Sequence, residues 1–290
     1  MASDASLNTI ISILEDAIKQ LQVVSGSSRL DSELLLCHVL KKDRSYLRAW
    51  PEYELTPQQV ESFQELLKQR LQGEPVAHIL GERGFWSLDL KVTADTLIPR
   101  PDTERLVELA LDIIPENAKW NILDLGTGTG AIALSLAKEK PGCHIFATDK
   151  SKAALDIAKE NAQRNQIANI TFIQSDWFEN LDNEAIGKFE MIVSNPPYIK
   201  ENDPHLKLGD VRFDPPSALT SGADGLDDIR VISQKSTAYL KEHSVILIEH
   251  GYDQAESVCD LLEAANFTQV ADFNDYNDNP RIAIGYLSNH

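Results

Sequence analysis

The sequence predicts an α/β protein: a parallel, doubly wound sheet with an antiparallel hairpin at its edge, preceded by a small helical bundle. Three observations carry this. From residue 96 onward, short apolar runs alternate with amphipathic stretches of helical period, the pattern of strand–helix–strand units. Residues 1–75 instead keep the i, i+3, i+4, i+7 spacing of packed helices. The stretch "NILDLGTGTGAIALSLA" reads as strand, glycine turn and helix in immediate succession.

The elements follow in order. Leu7, Ile10, Ile11, Leu14, Ala17, Ile18 and Leu21 place a first helix at the start of the bundle. A second begins at Ser28 or Asp31 and carries Leu34, Leu35, Val39 and Leu40. The third has Thr56 as its N-cap, Pro57 at its first position and Gly73 where a C-terminal cap belongs. The bundle holds no polar constellation of its own, which suits docking better than chemistry. Residues 76–95 bring glycines and alternating apolar positions at Phe85, Leu88, Leu90 and Val92, the mark of a β-hairpin connector. In residues 96–290, strands are expected at 120–125, 143–148, 169–173, 189–193, 244–249, 268–273 and 281–287. Helical patterns between the first five call for parallel pairing, and the polar stretch Asn274–Pro280 joins the last two into the hairpin.

Composition narrows the function. With 42% hydrophobic and 25% charged residues in 290, the chain is an ordinary globular sequence of two domains. No apolar run approaches the ~20 residues of a membrane span. Asp4 precedes the first apolar residues and no basic segment stands there, so the expected location is the cytoplasm. Cys37, Cys143 and Cys259 form no Cys-x-x-Cys pair and the histidines fall at no ligand spacing, so no metal is expected. Net charge is −18, and residues 76–290 carry −15 of it, from 19 Lys and Arg against 34 Asp and Glu. Proteins that track phosphates carry the opposite sign, which disfavours nucleic acid as a substrate.

The chemistry sits at successive strand ends. Gly126, Gly128 and Gly130 let a backbone turn approach a ligand beside a helix N-terminus. Their spacing also satisfies a dinucleotide fingerprint, so nicotinamide and other adenosine cofactors both stay open. Asp149 closes the second strand, 19 residues after Gly130, where a carboxylate accepts both hydroxyls of a ribose. Asp176 and Trp177 follow the third, an acceptor for an adenine amino group and a face for stacking. The fourth ends in "VSNPPYIK". Hydride transfer gives no use for Asn195, Pro196, Pro197 and Tyr198 in a row, whereas methyl transfer to a planar nitrogen does. Such a nitrogen has its lone pair delocalised. The Asn195 side-chain oxygen and the Pro196 carbonyl would hold its two N–H groups and stabilise the charge that develops. The prolines fix that carbonyl, and Tyr198 covers the flat group.

With "GEPVAHILG", "LIPRPDTE", "DLGTGTGAIA", "SDWF", "NPPY" and "RFDPPSAL" in order along nearly its whole length, the chain resembles the bacterial peptide chain release factor N5-glutamine methyltransferases. The resemblance implies a seven-stranded class I methyltransferase (Rossmann-like) fold and S-adenosyl-L-methionine as cofactor. It implies methylation of the glutamine side-chain amide in the Gly-Gly-Gln motif of class 1 release factors. It assigns Gly126, Thr127, Gly128, Thr129 and Gly130 to the methionine part of the cofactor, Asp149 to the ribose, and Trp177 to the adenine pocket. Asn195 would touch cofactor and substrate, and the substrate amide would rest on Asn195–Tyr198. Arg100 and Glu104 would bind substrate at the pocket mouth, with a surface salt bridge as their alternative role, and Asp102 or Thr103 would cap the next helix. Two other functions stand beside this one. Adenine-N6 nucleic-acid methyltransferases share Asn-Pro-Pro-Tyr but sit poorly with the acidic charge, and a non-catalytic release-factor adaptor sits poorly with every motif being filled.

Overall fold

Ile10, Ile13, Ala17 and Leu21 recur at helical spacing and are all buried, so α1 (Ile10–Leu21) lays one apolar face on a core. Thr9 caps it, its hydroxyl accepting from the Ser12 backbone N–H. The helix thus starts later than the apolar pattern, and Leu7 lies outside the described residues. The computed structural model describes residues 8–182 and 186–288. They fall into two compact units: the described residues up to Gly81 with Pro204–Phe213, and Glu82–Asp203 with those from Asp214 onward.

The first unit continues with α2 (Ser28–Leu40), α3 (Arg44–Ala49), α4 (Pro57–Leu71) and α5 (Val76–Leu80). Local chemistry sets α4. Thr56 and Gln59 close a capping box, Pro57 takes the first position, and Gly73 follows the last turn at φ +94°. Leu35, Leu36, Phe63 and Leu67 complete the core. Six residues with only Leu47 buried leave no period to read, which is why the sequence does not announce α3. The connector is shorter than expected. Val76–Leu80 is a helical turn, ended by Gly81 in the left-handed region, and the hairpin starts only at Glu82. Inside this unit, buried Arg70 donates to Asp31 Oδ2 at 2.7 Å and to Asp210 Oδ1 at 2.9 Å. The segment Pro204–Phe213 is tied in through that second bond, from 140 positions away.

The second unit opens with the antiparallel hairpin β1 (Glu82–Phe85) and β2 (Leu88–Lys91), which sends Phe85, Leu88 and Leu90 into the core. After α6 (Thr103–Ile113) come β3 (Asn121–Leu125), β4 (His144–Asp149), β5 (Ile170–Gln174), β6 (Phe189–Ser194), β7 (Leu240–Glu249), β8 (Thr268–Asn274) and β9 (Pro280–Leu287). Their order is β5-β4-β3-β6-β7-β9-β8. The first five strands pair in parallel and β9 runs antiparallel to both neighbours, so β8 takes the edge. Between strands run α7 (Ala131–Glu139), α8 (Lys152–Arg164), α9 (Asp227–Ser236) and α10 (Ala255–Ala264). Central strands bury both faces: Ile122, Met191, Val193 and Leu247 join one core, and Leu123, Leu125, Ile192 and Ile246 the other. β7 starts four residues before the expected 244. His243 at φ +57° and a register shift between Phe189 and Met191 let "KEHS" continue the strand as an irregular stretch. Among the described residues, no helix is long and apolar enough to cross a membrane.

Candidate active site

β3 has β4 on one side and β6 on the other, so the strand order reverses there and the loops leaving the carboxyl ends of β3 and β6 splay apart. Into that crevice the sequence delivers its four motifs. Gly126, Gly128 and Gly130 all have positive φ, +74°, +55° and +85°. The turn is pinned by the Thr127 N–H on the Thr148 carbonyl at 2.8 Å and the Thr127 hydroxyl on Asp124 Oδ2 at 2.6 Å. A Cβ at Gly126 would stand 3.3 Å from the Trp177 ring, so glycine there serves close approach as well as backbone angle. Only Gly126 and Gly128 of this turn line the main cleft. Thr127 and Thr129 line an adjoining hollow, and Gly130 packs on Leu134 and Ala158 as the first residue before α7.

Asp149 ties the second strand end to the first. Its Oδ2 accepts from the Gly128 N–H at 2.9 Å and its Oδ1 from the Ser151 N–H at 2.8 Å. Burial raises its pKa, against the pull of those two bonds. Asp176 and Trp177 line the same cleft. Trp177 sits at φ +49°, and its indole Nε1 donates to Asp228 Oδ1 at 3.0 Å.

Asn195 lines both the cleft and the adjoining hollow. Its Nδ2 donates to Thr103 Oγ1 at 3.1 Å. Pro196 is buried, and Pro197, also buried, lines the cleft. The Tyr198 carbonyl accepts from Gln254 Nε2 at 3.0 Å, and the ring packs on the second core with its hydroxyl 3.5 Å from Glu249 Oε1. Gly225, at φ +81°, admits this loop: a Cβ there would lie 2.3 Å from the Tyr198 carbonyl oxygen. Burial and then the Glu249 charge raise the Tyr198 pKa, so its hydroxyl keeps its proton.

Arg100 and Glu104 part ways. Arg100 lines the hollow and pairs with the buried Asp214, whose Oδ1 accepts from the Ile98 N–H at 3.1 Å. Glu104 accepts from the Trp86 N–H at 2.8 Å, which fastens the β1–β2 turn, and lines neither cavity. The cap expected at Asp102 or Thr103 is not made. Asp102 precedes the helix with helical backbone angles and no side-chain bond, and the Thr103 hydroxyl is engaged by Asn195.

Several lining residues escaped the sequence reading. Asp95 ends the connector and Thr96 and Leu97 follow it, while Pro215, Ser217 and Ala218 come from "RFDPPSAL", whose acid followed by two prolines was the available signal. Glu249, at the carboxyl end of β7, is 1% exposed. Burial, the larger effect, pushes its pKa up to about 7 against the opposing pull of the Thr103 side chain, and its Oε2 has no hydrogen-bond partner among the described residues.

Residues 12–81 match the PrmC N-terminal domain family, and residues 105–214 the methyltransferase small domain. A release factor glutamine methyltransferase of Vibrio cholerae is 50% identical over 96% of this chain and 96% of its own. One of Escherichia coli is 48% identical over 94% of this chain and 96% of its own. A methyltransferase structure from Pyrococcus furiosus shares the fold at a TM-score of 0.54, with 15% identity over 77% of this chain and 98% of its own. The class I methyltransferase sheet, the strand-end motifs and near full-length identity agree: the chain belongs to the release factor glutamine methyltransferase family.

Proposed function

We propose that this protein transfers a methyl group from S-adenosyl-L-methionine to the side-chain N5 of the glutamine in the Gly-Gly-Gln motif of class 1 peptide chain release factors. The observation that carries the reading is the place of Asn195, which lines both the cleft with Asp149 and Trp177 and the neighbouring hollow. One residue there meets a cofactor on one side and a substrate amide on the other.

The donor set suits the cofactor. The Gly126–Gly128 backbone approaches the cleft without side chains, Asp149 keeps lone pairs for two ribose hydroxyls, and Asp176 and Trp177 offer an acceptor and an aromatic face. When bound, S-adenosyl-L-methionine supplies an electrophilic sulfonium methyl. The chain's own residues position and polarise. With its Nδ2 committed to Thr103, Asn195 has Oδ1 left as acceptor. Asn195 Oδ1 and the Pro196 carbonyl take the two N–H groups of the glutamine amide, turn its lone pair out of conjugation and stabilise positive charge on nitrogen. Pro196 and Pro197 hold that carbonyl rigidly. Arg100 borders the hollow as a substrate contact, and Glu104 acts on the site only by anchoring the hairpin. The helical unit docks the release factor in the cytoplasm.

Incubating unmodified release factor with the enzyme and S-adenosyl-L-methionine, followed by peptide mapping, tests this. One methyl on the Gly-Gly-Gln glutamine is the expected product. Methyl found only elsewhere, or only in nucleic acid, defeats the reading.

A further inference from the structure

We infer that Gln254 is a positioning residue: its side-chain amide clamps the Asn195–Tyr198 loop to the turn after β7 and so fixes the direction of the Pro196 carbonyl. The inference rests on reading Asn195 and that carbonyl as the acceptors for the substrate amide.

Pro196 and Pro197 stiffen the loop but leave it without two backbone donors, so other groups must fasten it. At its start, Ser194 of β6 is in register with Ile248 of β7, and its hydroxyl donates to the Leu125 carbonyl at 2.8 Å. Past the loop, the Ile199 N–H donates to the Leu219 carbonyl at 2.8 Å and the Ile199 carbonyl accepts from the Ser221 N–H at 3.0 Å. Between these anchors the Tyr198 carbonyl accepts from Gln254 Nε2 at 3.0 Å. Because the proline rings hold φ, a shift at Tyr198 is carried back to the Pro196 carbonyl rather than absorbed on the way.

The buried Gln254 amide is engaged at both ends. Its Oε1 accepts from the Gly251 N–H at 2.9 Å. Its Nε2 faces three carbonyl oxygens, that of Tyr198 at 3.0 Å and those of Asp224 and Gly225 at 3.4 Å each. Only this orientation fits, since a turned-over amide would set oxygen against carbonyls and NH2 against an N–H. Gly225 makes the room, because a Cβ there would lie 2.8 Å from Nε2. Gln254 stands immediately before α10, where a short Ser, Thr, Asp or Asn ordinarily caps a helix. Its side chain makes no such cap and reaches the neighbouring loops instead. The oxygen end closes the turn after β7, and the nitrogen end is the part that holds the substrate loop. Gln254 lines neither the cleft nor the hollow, so it acts on the site only through that loop.

The test uses the full-length enzyme with Gln254→Met, Gln254→Glu and, as reference, Asn195→Ala. Gln254→Met keeps the bulk and loses both ends of the amide. It should lower kcat on release factor about ten- to a hundredfold, the loss expected from a misaligned reacting group. KM and cofactor affinity should stay within about threefold. In the cofactor-free protein, the Tyr198 carbonyl carbon resonance should move. Gln254→Glu keeps the acceptor for Gly251 and exchanges the donor for a second oxygen, which donates to Tyr198 only when protonated. Its kcat relative to wild type should therefore rise as pH falls from about 8 to about 6, the range into which burial lifts a carboxyl. The charged neighbours are Asp224 with Arg230, Asp253 with Lys200, His250 with Asp272, and Glu249 beside Tyr198. All are common to both proteins, so the ratio isolates the introduced carboxyl. An unmoved Tyr198 resonance in Gln254→Met overturns the clamp. Wild-type kcat in that variant, with Asn195→Ala slow, overturns the positioning role and leaves the proposed function standing. A ratio for Gln254→Glu that stays flat with pH overturns the role of the donor end, and decides the matter where Gln254→Met does not fold. Asn195→Ala at the wild-type rate instead removes the reading of Asn195 and the catalytic consequence with it, even where the Tyr198 resonance moves.

Discussion

The indole Nε1 of Trp177 donates to Asp228 Oδ1 at 3.0 Å, joining the loop after β5 to the first turn of α9. Trp177 is a bulky residue at φ +49°, a backbone angle that a large side chain rarely adopts unless its surroundings hold it. The ring is held between this bond and the open side of Gly126. Asp228→Ala should release it and weaken S-adenosyl-L-methionine about tenfold, the effect of one hydrogen bond to a charged group. Calorimetry on the folded variant decides. An affinity equal to wild type would mean the indole needs no tether.

On the proposed reading Asp149 has two tasks, since its oxygens already bind the Gly128 and Ser151 N–H groups and would also receive the ribose. Asp149→Ala should lower cofactor affinity by roughly ten- to a hundredfold, from lost charge-assisted bonds and a looser glycine turn. Asp149→Asn should fall between, because one end of its amide still accepts. Titration of both variants with cofactor checks the order.

Asn195→Ala should lower kcat about 10²–10³-fold, the usual cost of one preorganised transition-state contact. Tyr198→Phe should be mild, because the 3.5 Å contact of its hydroxyl with Glu249 is long for an O–H···O bond. Tyr198→Ala should not be mild, since the ring packs on the core beside the loop. Single-turnover rates on cofactor-saturated enzyme separate these from binding effects.

Asp124 and Glu249 are both raised to about 7, chiefly by burial. A carboxyl with a raised native pKa keeps a proton that the unfolded chain gives up near pH 4, so its contribution is greatest below that value. That contribution is lost as pH rises through about 7. Glu249→Gln has no proton to lose. The Tm of the variant relative to wild type should therefore climb between pH 5 and pH 8, in thermal scans at matched ionic strength. A flat difference would place the Glu249 pKa outside this window.

In the helical unit, Arg70→Met leaves Asp31 buried without its cation, and breaking a buried pair from one side costs about 3–5 kcal/mol. Replacing both, as Arg70→Met with Asp31→Leu, should recover much of that. Hydrogen exchange of α2 and α4 amides reports it locally. The same Arg70 variant should also free Pro204–Phe213, since Asp210 loses its partner.

Where a few neighbouring residues carry strong capping or patterning chemistry, the chain alone could be read. Thr56, Pro57 and Gly73 bound α4 by backbone and capping chemistry within one turn of each end. The alternation of apolar runs with helical faces gave seven strands and the parallel pairing of the first five, because a buried parallel strand must be apolar on both faces. That Gly126, Asp149, Trp177 and Asn195 would line one cleft was legible because strand ends in such a sheet converge on one crevice. Only the tertiary structure decided what those residues touch. Asn195 meets Thr103 across 92 positions, and Arg70 meets Asp210 across 140. Glu104 fell to the Trp86 N–H rather than to the pocket, and Glu249 to the side of Asn195, because β6 and β7 are neighbours in space with a long loop and a helix between them. Backbone preferences act over a turn or a strand. The pairing of distant side chains is set by how strands stack in a sheet, and one residue of register would place other side chains at the same crevice.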